Sequence, residues 1–216
     1  MKKLGVIFDM DGVVSDTQKF HAEVESRLLE EFNIQLSPEE ITKRFSGVAD
    51  DVMFQQIFDE NGKKDYPPID SIVFRKWNMM AEIAKGRITA IPHAIELIRT
   101  LKANDFKLAI ASASTLVFIH EVIDELDVAS SFDTLVSAQE VDHGKPSPDV
   151  FLLAAERLQL EPEACIVIED GRSGMLGAKA ANMKCIGLVS DTQESYPSTV
   201  TVTSLKEVTI PLIHRL

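Results

Sequence analysis

Two acidic side chains follow a short apolar run near the start of the chain. Residues 4–8 (LGVIF) lead directly into Asp9, Met10, Asp11 and Gly12. Because side chains alternate along an extended chain, the carboxylates of Asp9 and Asp11 should point to the same side, and Gly12 lets the backbone turn sharply. Paired carboxylates can supply a nucleophile and a general acid, although the same pattern is equally typical of an acidic loop that caps a helix.

Further polar residues follow apolar runs later in the chain. These are Ser112, Lys145 in the segment GKP, and the acidic pair Glu169 and Asp170. In an open α/β sheet, the carboxyl ends of the strands share one edge, where ligands bind. A hydroxyl, an ammonium and several carboxylates can therefore gather at that edge, and this ordered set is more specific than any one of its members.

The chain alternates between short apolar runs and amphipathic segments. The runs are typical of buried strands and lie at residues 4–8, 107–111, 134–137, 165–168 and 184–188. Pro92 can open a helix at its first turn, and apolar residues then recur on one face. Strands that alternate with helices predict an α/β fold with a doubly wound parallel sheet.

The stretch between the first two strands is far longer than a crossover needs. It carries helical patterns at residues 20–32, 52–58 and 69–83, and residues 37–40 (SPEE) indicate a capping box. We therefore predict an inserted α-helical cap domain at residues 17–87, with the catalytic core formed by residues 1–16 and 88–216. The large apolar residues of the insertion are predicted to pack between its helices, and they include Phe54, Phe58, Trp77, Met79 and Met80.

These motifs resemble those of the haloacid dehalogenase-like superfamily, in the branch of beta-phosphoglucomutase and phosphoglycolate phosphatase. VIFDMDGVVSDT is similar to the first family motif, IASAS to the second, GKPSPD to the third and VIEDGRSGMLGAKAANM to the fourth. The resemblance covers nearly the whole chain and implies a Rossmann-like core with the first strand in the centre. It also implies a bound Mg²⁺ and an aspartyl-phosphate intermediate.

The resemblance gives the acidic residues their roles. It implies that Asp9 is the nucleophile and that Asp11 protonates the leaving alkoxide and later deprotonates the attacking water. Asp11 should be protonated when substrate arrives, because repulsion from its acidic neighbours would raise its pKa. Asp9 and Asp170 would hold Mg²⁺. The backbone carbonyl of Asp11 is a further implied ligand, and Glu169 would bind directly or through water.

Substrate contacts are implied in both the core and the cap. Lys145 would place a positive charge beside the transferring group, while the Ser112 hydroxyl and the backbone at Ala113 would hold its oxygens. His21 would reach the substrate from the cap, or else serve as a polar residue at the hinge. The cap loop that contains Gly47 would help to set specificity.

The fourth motif departs from the family pattern, which usually reads Glu-Asp-Ser. Here Gly171 replaces the serine, and Ser173 lies nearby as another source of a hydroxyl. Metal binding by Asp170 is compatible with this change, and we expect the contacts around the metal ligands to differ from the family pattern.

Two positions favour a phosphatase over a sugar-phosphate mutase. The mutases of this branch bind a distal phosphate with an arginine in a cap loop that begins Gly-Val-Ser-Arg, whereas residues 47–51 read GVADD. Thr115 likewise stands where the mutases carry a lysine. Since an aspartate repels phosphate, we predict hydrolysis of a small phosphorylated metabolite, either a sugar phosphate or phosphoglycolate, with the mutase as the alternative.

The composition limits the partners and the location. A formal net charge of -12 disfavours nucleic acid, which binds basic surfaces. The sequence has no apolar stretch typical of a signal peptide or a membrane span, which predicts a cytoplasmic protein. Cys165 and Cys185 lie in apolar runs typical of buried thiols. We expect a monomer or a weak homodimer.

Two interpretations without catalysis compete with the phosphatase. A response-regulator receiver also has a doubly wound sheet and an acidic metal site, but it would not need this helical insertion. Its phosphorylated aspartate would also lie at a later strand. A catalytically silent protein of the same fold would be expected to lack a motif residue, whereas Asp9, Asp11, Ser112, Lys145 and Asp170 are all present.

Overall fold

Six parallel strands form one sheet in the computed structural model, which describes residues 4–45 and 48–216. The strands are β1 (Gly5–Phe8), β2 (Lys107–Ser112), β3 (Thr134–Ser137), β4 (Cys165–Glu169), β5 (Lys184–Leu188) and β6 (Val200–Val202). Their order is β3-β2-β1-β4-β5-β6, so β1 lies between β2 and β4. The predicted α/β fold with a doubly wound parallel sheet and a central first strand is confirmed.

Helices cover both faces of the sheet and form the insertion. They are α1 (Gln18–Glu30), α2 (Pro38–Phe45), α3 (Asp50–Glu60), α4 (Ile69–Ala84), α5 (Ala94–Ala103), α6 (Leu116–Glu125), α7 (Asp149–Leu158), α8 (Arg172–Ala180) and α9 (Ile210–Ile213). Short 3-10 helices lie at Ala129–Ser131, Ala138–Glu140, Pro162–Ala164 and Leu205–Glu207. Within the described residues, no helix is long and apolar enough to cross a membrane.

The side chains of the strands alternate between two apolar cores. Val6 and Phe8 lie in the larger core with residues of α5, α6 and the insertion, whereas Ile7 lies in the smaller core with residues of α7 and α8. All three side chains are fully buried. This alternation is expected of a parallel sheet that is covered on both faces.

Helices α1 to α4 form the predicted helical cap, although their ends differ from the predicted segments by a few residues. The predicted capping box is present at the start of α2. The Glu40 amide donates to Ser37 Oγ (3.2 Å), and the Ser37 amide donates to Glu40 Oε2 (3.0 Å). Phe54, Phe58 and Met80 are fully buried, as expected of residues that pack between helices.

The start of α5 differs from the prediction. Pro92 was expected in the first turn, but α5 begins at Ala94 and follows His93, which has φ 68°. A residue in the left-handed region cannot continue a right-handed helix, so Pro92 lies in the preceding turn. The prediction for Pro92 is therefore wrong.

Two chain segments join the cap to the core, and hydrogen bonds hold them in place. The Asp16 amide donates to the Thr89 carbonyl (2.8 Å), which joins the two segments directly. The Glu125 carboxylate, at the end of α6, accepts from the amides of Gly86 (3.1 Å) and Ile88 (2.9 Å). The core thereby fixes the segment through which the chain leaves the cap.

Candidate active site

Lys145 lies between two carboxylates at the carboxyl edge of the sheet. Its Nζ donates to Asp9 Oδ1 (2.5 Å) and to Glu169 Oε2 (2.7 Å). Asp9 follows β1 and Glu169 ends β4, and these strands are neighbours. Burial would lower the pKa of Lys145, but the charges of Asp9 and Glu169 raise it above its ordinary value. Lys145 is therefore held as a buried cation.

Three carboxylates converge beside this ammonium. Oxygen atoms of Asp9, Glu169 and Asp170 lie within 4.8 Å of one another. Burial and the Glu169 charge raise the pKa of Asp9 to about 8, although Lys145 opposes this shift. Burial and the same Glu169 charge also raise the pKa of Asp170. Carboxylates that are crowded and buried are unfavourable when ionised, which raises their pKa values. A hard divalent cation such as Mg²⁺ would offset this repulsion, and it prefers oxygen ligands.

Asp11 lies outside this cluster, in a network of hydroxyl groups. Its Oδ2 accepts from the hydroxyls of Ser114 (2.7 Å) and Ser112 (3.2 Å). Its Oδ1 accepts from the Thr17 hydroxyl (2.5 Å). The Nε2 atom of His21 lies 3.2 Å from Oδ1, within ion-pair range but without hydrogen-bond geometry. Residues from the cap hinge and from the end of β2 therefore surround one carboxylate.

The pKa of Asp11 shifts in the direction opposite to the prediction. Burial raises this pKa, but the His21 ring and the hydroxyls of Thr17 and Ser114 outweigh burial and lower it below its ordinary value. The expected repulsion from acidic neighbours is not the dominant effect, because donors and a potential cation surround the carboxylate. The acidic neighbours thus do not raise the pKa of Asp11 in this structure as expected. Protonation of Asp11 when substrate arrives stays a prediction.

Two glycines allow the backbone to approach the acidic side chains closely. Gly12 has φ +89°, and a Cβ atom at this position would lie 2.3 Å from Asp170 Oδ2. A Cβ atom at Gly174 would lie 1.8 Å from Glu169 Oε2. Any larger residue would therefore displace a carboxylate of the cluster.

Backbone amides orient Glu169 in the fourth motif. The amides of Gly171 (2.9 Å) and Asp170 (3.1 Å) both donate to Glu169 Oε1. Ser173 does not replace the missing serine hydroxyl in this arrangement, because its buried Oγ has no hydrogen-bond partner within the described residues. With glycine instead of serine at position 171, the Glu169 carboxylate is therefore held by main-chain amides.

A small cavity of about 60 Å³ lies between the sheet edge and the cap. Asp9, Asp11 and Ala113 line it from the core, and His21 lines it from α1. Trp77 packs against the core and also lines this cavity, with its ring 5.3 Å from that of His21. The sequence predicted only core packing for Trp77, and its place in the cavity wall was not predicted.

A buried ion cluster forms the cap side of the same cavity. Lys76 Nζ lies 2.5 Å from Glu25 Oε1 and also donates to Asp50 Oδ1. The side chain of Lys76 is 1% exposed. Burial would lower the pKa of Lys76, but the charges of Asp50 and Glu25 raise it above its ordinary value. Helices α1, α3 and α4 each contribute one of these three residues.

Some residues of the site were not found from the sequence. Ser114 is one of them, and it lies two positions after the predicted residue Ser112 in IASAS, so side-chain alternation could have indicated that both face Asp11. Thr17 and the ion cluster of the cap carry no comparable local signal. Gly47 lies outside the described residues, and its predicted part in substrate binding stays a prediction.

The doubly wound core, the helical cap and the acidic cluster together define a class of capped α/β proteins with carboxylates at the sheet edge. Residues 6–188 match the sequence profile of a family described as haloacid dehalogenase-like hydrolase. The chain belongs to that family. The resemblance predicted from its motifs is therefore confirmed.

The relatives of the chain include phosphatases and a mutase. Hexitol phosphatase B of Escherichia coli (strain K12) is 27% identical over 215 residues, which cover 95% of this chain and 94% of the relative. The phosphorylated carbohydrates phosphatase of Thermotoga maritima is 30% identical over 181 residues, 84% of this chain and 82% of the relative. The crystal structure of beta-phosphoglucomutase from Clostridium difficile has a TM-score of 0.86 at 25% identity and covers 99% of this chain and 96% of its own. The family and the two relatives named as phosphatases support the predicted class of enzyme, the phosphoric monoester hydrolases.

Proposed function

We propose that this protein is a Mg²⁺-dependent phosphatase that hydrolyses a small metabolite of the sugar-phosphate type. The observation that carries the proposal is the buried Lys145 ammonium, 2.5 Å from Asp9 and beside the carboxylate cluster. A carboxylate can attack a phosphate dianion only if nearby positive charge offsets the repulsion between them. The names of the two phosphatase relatives support the substrate class.

Asp9 supplies the attacking oxygen in the proposed reaction. One carboxylate oxygen of Asp9 forms a bond to phosphorus while the bond between phosphorus and the ester oxygen breaks. The leaving alkoxide takes a proton from Asp11. A water molecule then transfers a proton to Asp11 and attacks phosphorus, and the bond to Asp9 breaks to release inorganic phosphate.

Asp11 must carry a proton for the first step, although its pKa is lowered in this structure. The Ser112 and Ser114 hydroxyls that now donate to Asp11 can turn toward phosphate oxygens when substrate binds. The pKa of Asp11 should then rise, because a carboxylate that loses donors near a new negative charge binds a proton more tightly. Substrate binding would thus prepare Asp11 to act as the acid.

The carboxylate cluster would hold the metal. Asp9 and Asp170 are the proposed ligands, with the backbone carbonyl of Asp11 as a third and with Glu169 bound directly or through water. When bound, Mg²⁺ would neutralise charge on the carboxylates and on the phosphate. Lys145 orients the nucleophile through its hydrogen bond to Asp9.

A sugar-phosphate mutase is the alternative function, favoured by the similarity to a beta-phosphoglucomutase structure. Asp50, the first residue of α3, is paired with Lys76. Thr115 caps α6, because its side chain accepts a hydrogen bond from the Phe118 amide (3.2 Å). Neither residue supplies a cation for a distal phosphate. Hydrolysis therefore stays the proposed reaction.

The environment of the protein is inferred from its charge and thiols. The net charge of -12 argues against nucleic acid as a partner. Cys165 and Cys185 are free and buried, which suits a reducing compartment such as the cytoplasm. The monomeric or weakly dimeric state and the cap limits at residues 17–87 stay predictions.

Phosphate release from a panel of phosphorylated metabolites with Mg²⁺ tests the proposed function. Asp9→Asn removes the nucleophile at nearly unchanged volume, and we expect turnover to fall at least about a thousandfold. Asp16→Asn is the control, since Asp16 is half exposed and pairs with Lys19. Full activity of the Asp9→Asn variant would contradict the nucleophile, and isomerised sugar phosphate without phosphate release would establish the mutase.

A further inference from the structure

The ion cluster of Glu25, Asp50 and Lys76 faces the substrate cavity but has no part in the proposed reaction. These three residues line the cavity together with Asp9 and Asp11. The side chains of Glu25 and Asp50 are 8% and 14% exposed. Two carboxylates and one ammonium give this wall a net negative charge.

The ammonium of Lys76 is already engaged on two sides. A substrate anion could bind Lys76 strongly only if a carboxylate were displaced, and separating a buried ion pair is costly. The same anion would also meet the oxygen atoms of Glu25 and Asp50, which repel it. A hydroxyl group, in contrast, can donate to either carboxylate or accept from the ammonium.

We propose that Glu25, Asp50 and Lys76 act as a charge filter, which restricts the substrate to phosphate monoesters of uncharged, hydroxyl-bearing alcohols. This inference rests on the proposed phosphatase function and narrows it. Esters whose alcohol carries a second phosphate or a carboxylate are disfavoured, and phosphoglycolate is among them. The filter selects against a wrong substrate by repulsion, while the phosphate itself binds at the opposite end of the cavity.

A matched pair of ligands tests the filter. Glucitol 6-phosphate and 6-phosphogluconate differ only at carbon 1, where a CH₂OH group is replaced by a carboxylate. We expect the wild type to favour the hexitol ester at least about tenfold in kcat/KM. Asp50→Asn and, independently, Glu25→Gln should reduce this preference several-fold by improving turnover of 6-phosphogluconate.

The neighbouring residue Asp51 provides the control. Asp51 is exposed and does not line the cavity, so Asp51→Asn makes the same change in charge one position further along α3. The Asp51→Asn variant should keep the wild-type preference. Circular dichroism of each variant establishes that it is folded before its preference is compared.

Binding provides a second readout that does not depend on turnover. Trp77 is the single tryptophan of the chain and lines the cavity, so its fluorescence can report the binding of both ligands. If neither ester is hydrolysed but the preference in binding still depends on Asp50 or Glu25, the phosphatase proposal fails and the filter stands. The filter is overturned if the wild type shows no preference between the two ligands in kcat/KM or in binding. It is also overturned if either folded variant keeps the wild-type preference.

Discussion

Lys145 compensates part of the charge of two buried carboxylates, Asp9 and Glu169. Its ammonium contacts Asp9 and Glu169 directly, and all three side chains are almost completely buried. Removing one partner of a buried ion pair typically costs about 3–5 kcal/mol, because the remaining charge has no compensation. Lys145 therefore stabilises the substrate-free site in addition to its proposed contact with phosphate.

The substitution Gly174→Ala tests how closely Glu169 is packed. The new methyl group would lie 1.8 Å from Glu169 Oε2, so Glu169 must shift, which would disturb its hydrogen bond with Lys145. We expect kcat/KM to fall at least about tenfold, since a displacement of about 1 Å in a catalytic site can cost a hundredfold. The free energy of unfolding should fall by about 1–3 kcal/mol, as measured by urea unfolding.

Ser173→Ala is the matched control for this substitution. Ser173 lies in the same helical turn, and its Oγ has no hydrogen-bond partner within the described residues. Removing this hydroxyl should change activity and stability little. Similar losses in both variants would contradict a specific role for the Gly174 and Glu169 contact.

The residue types were predictable from the sequence, but their electrostatic environment was not. Asp9, Glu169 and Asp170 follow apolar runs that reach one sheet edge, which is why their cluster could be predicted. The pKa of Asp11 depends instead on where the side chains of Thr17 and His21 lie. Thr17 directly precedes α1 and His21 lies within it, and the position of this helix against the core is not encoded in the spacing of the motifs.

Strands were predicted more accurately than helix ends. β1 to β5 begin and end within one residue of the predicted runs, because a strand buried on both faces is a nearly continuous apolar segment. β6 was missed, since two of its three residues are only partly buried and its sequence carries little pattern. The start of α5 depends on the left-handed conformation of His93, which the composition does not reveal.

Asp133, which directly precedes β3, forms hydrogen bonds to β2 and to α5. Its carboxylate accepts from the Leu108 amide (2.9 Å) and from Lys102 (2.9 Å). Burial raises the pKa of Asp133, but the Leu108 amide and Lys102 outweigh burial and lower this pKa below its ordinary value. A carboxyl group whose pKa is lowered by folding stabilises the folded state at pH values above its ordinary, unfolded-state pKa. This contribution is lost as the pH falls through the folded-state pKa.

The substitution Asp133→Asn should therefore have an effect that depends on pH. We expect the free energy of unfolding to fall by about 1 kcal/mol at pH 7 and the difference from the wild type to shrink below about pH 4. Urea unfolding at several pH values measures this difference. Asp127→Asn is the control, because the Asp127 side chain is 98% exposed. A difference that is constant across this range would contradict the ionic contribution.

Metal binding should be visible in the stability of the whole molecule. If Mg²⁺ binds the folded carboxylate cluster and not the unfolded chain, a concentration ten times Kd adds about 1.4 kcal/mol of stability. Removing the ion with EDTA should lower Tm in a thermal scan. Asp170→Asn should lose most of this response, whereas Asp191→Asn, at an exposed position, should retain it. An equal response in both variants would contradict the proposed metal site.

The central position of β1 has a consequence for the order of folding. β1 pairs with β2 and β4, which begin at Lys107 and Cys165. During synthesis on the ribosome, β1 emerges long before either partner strand, while the cap helices pack mainly against one another and can form early. Asp9 is thus made well before the residues that will surround it, and its site is assembled only after β4 has emerged.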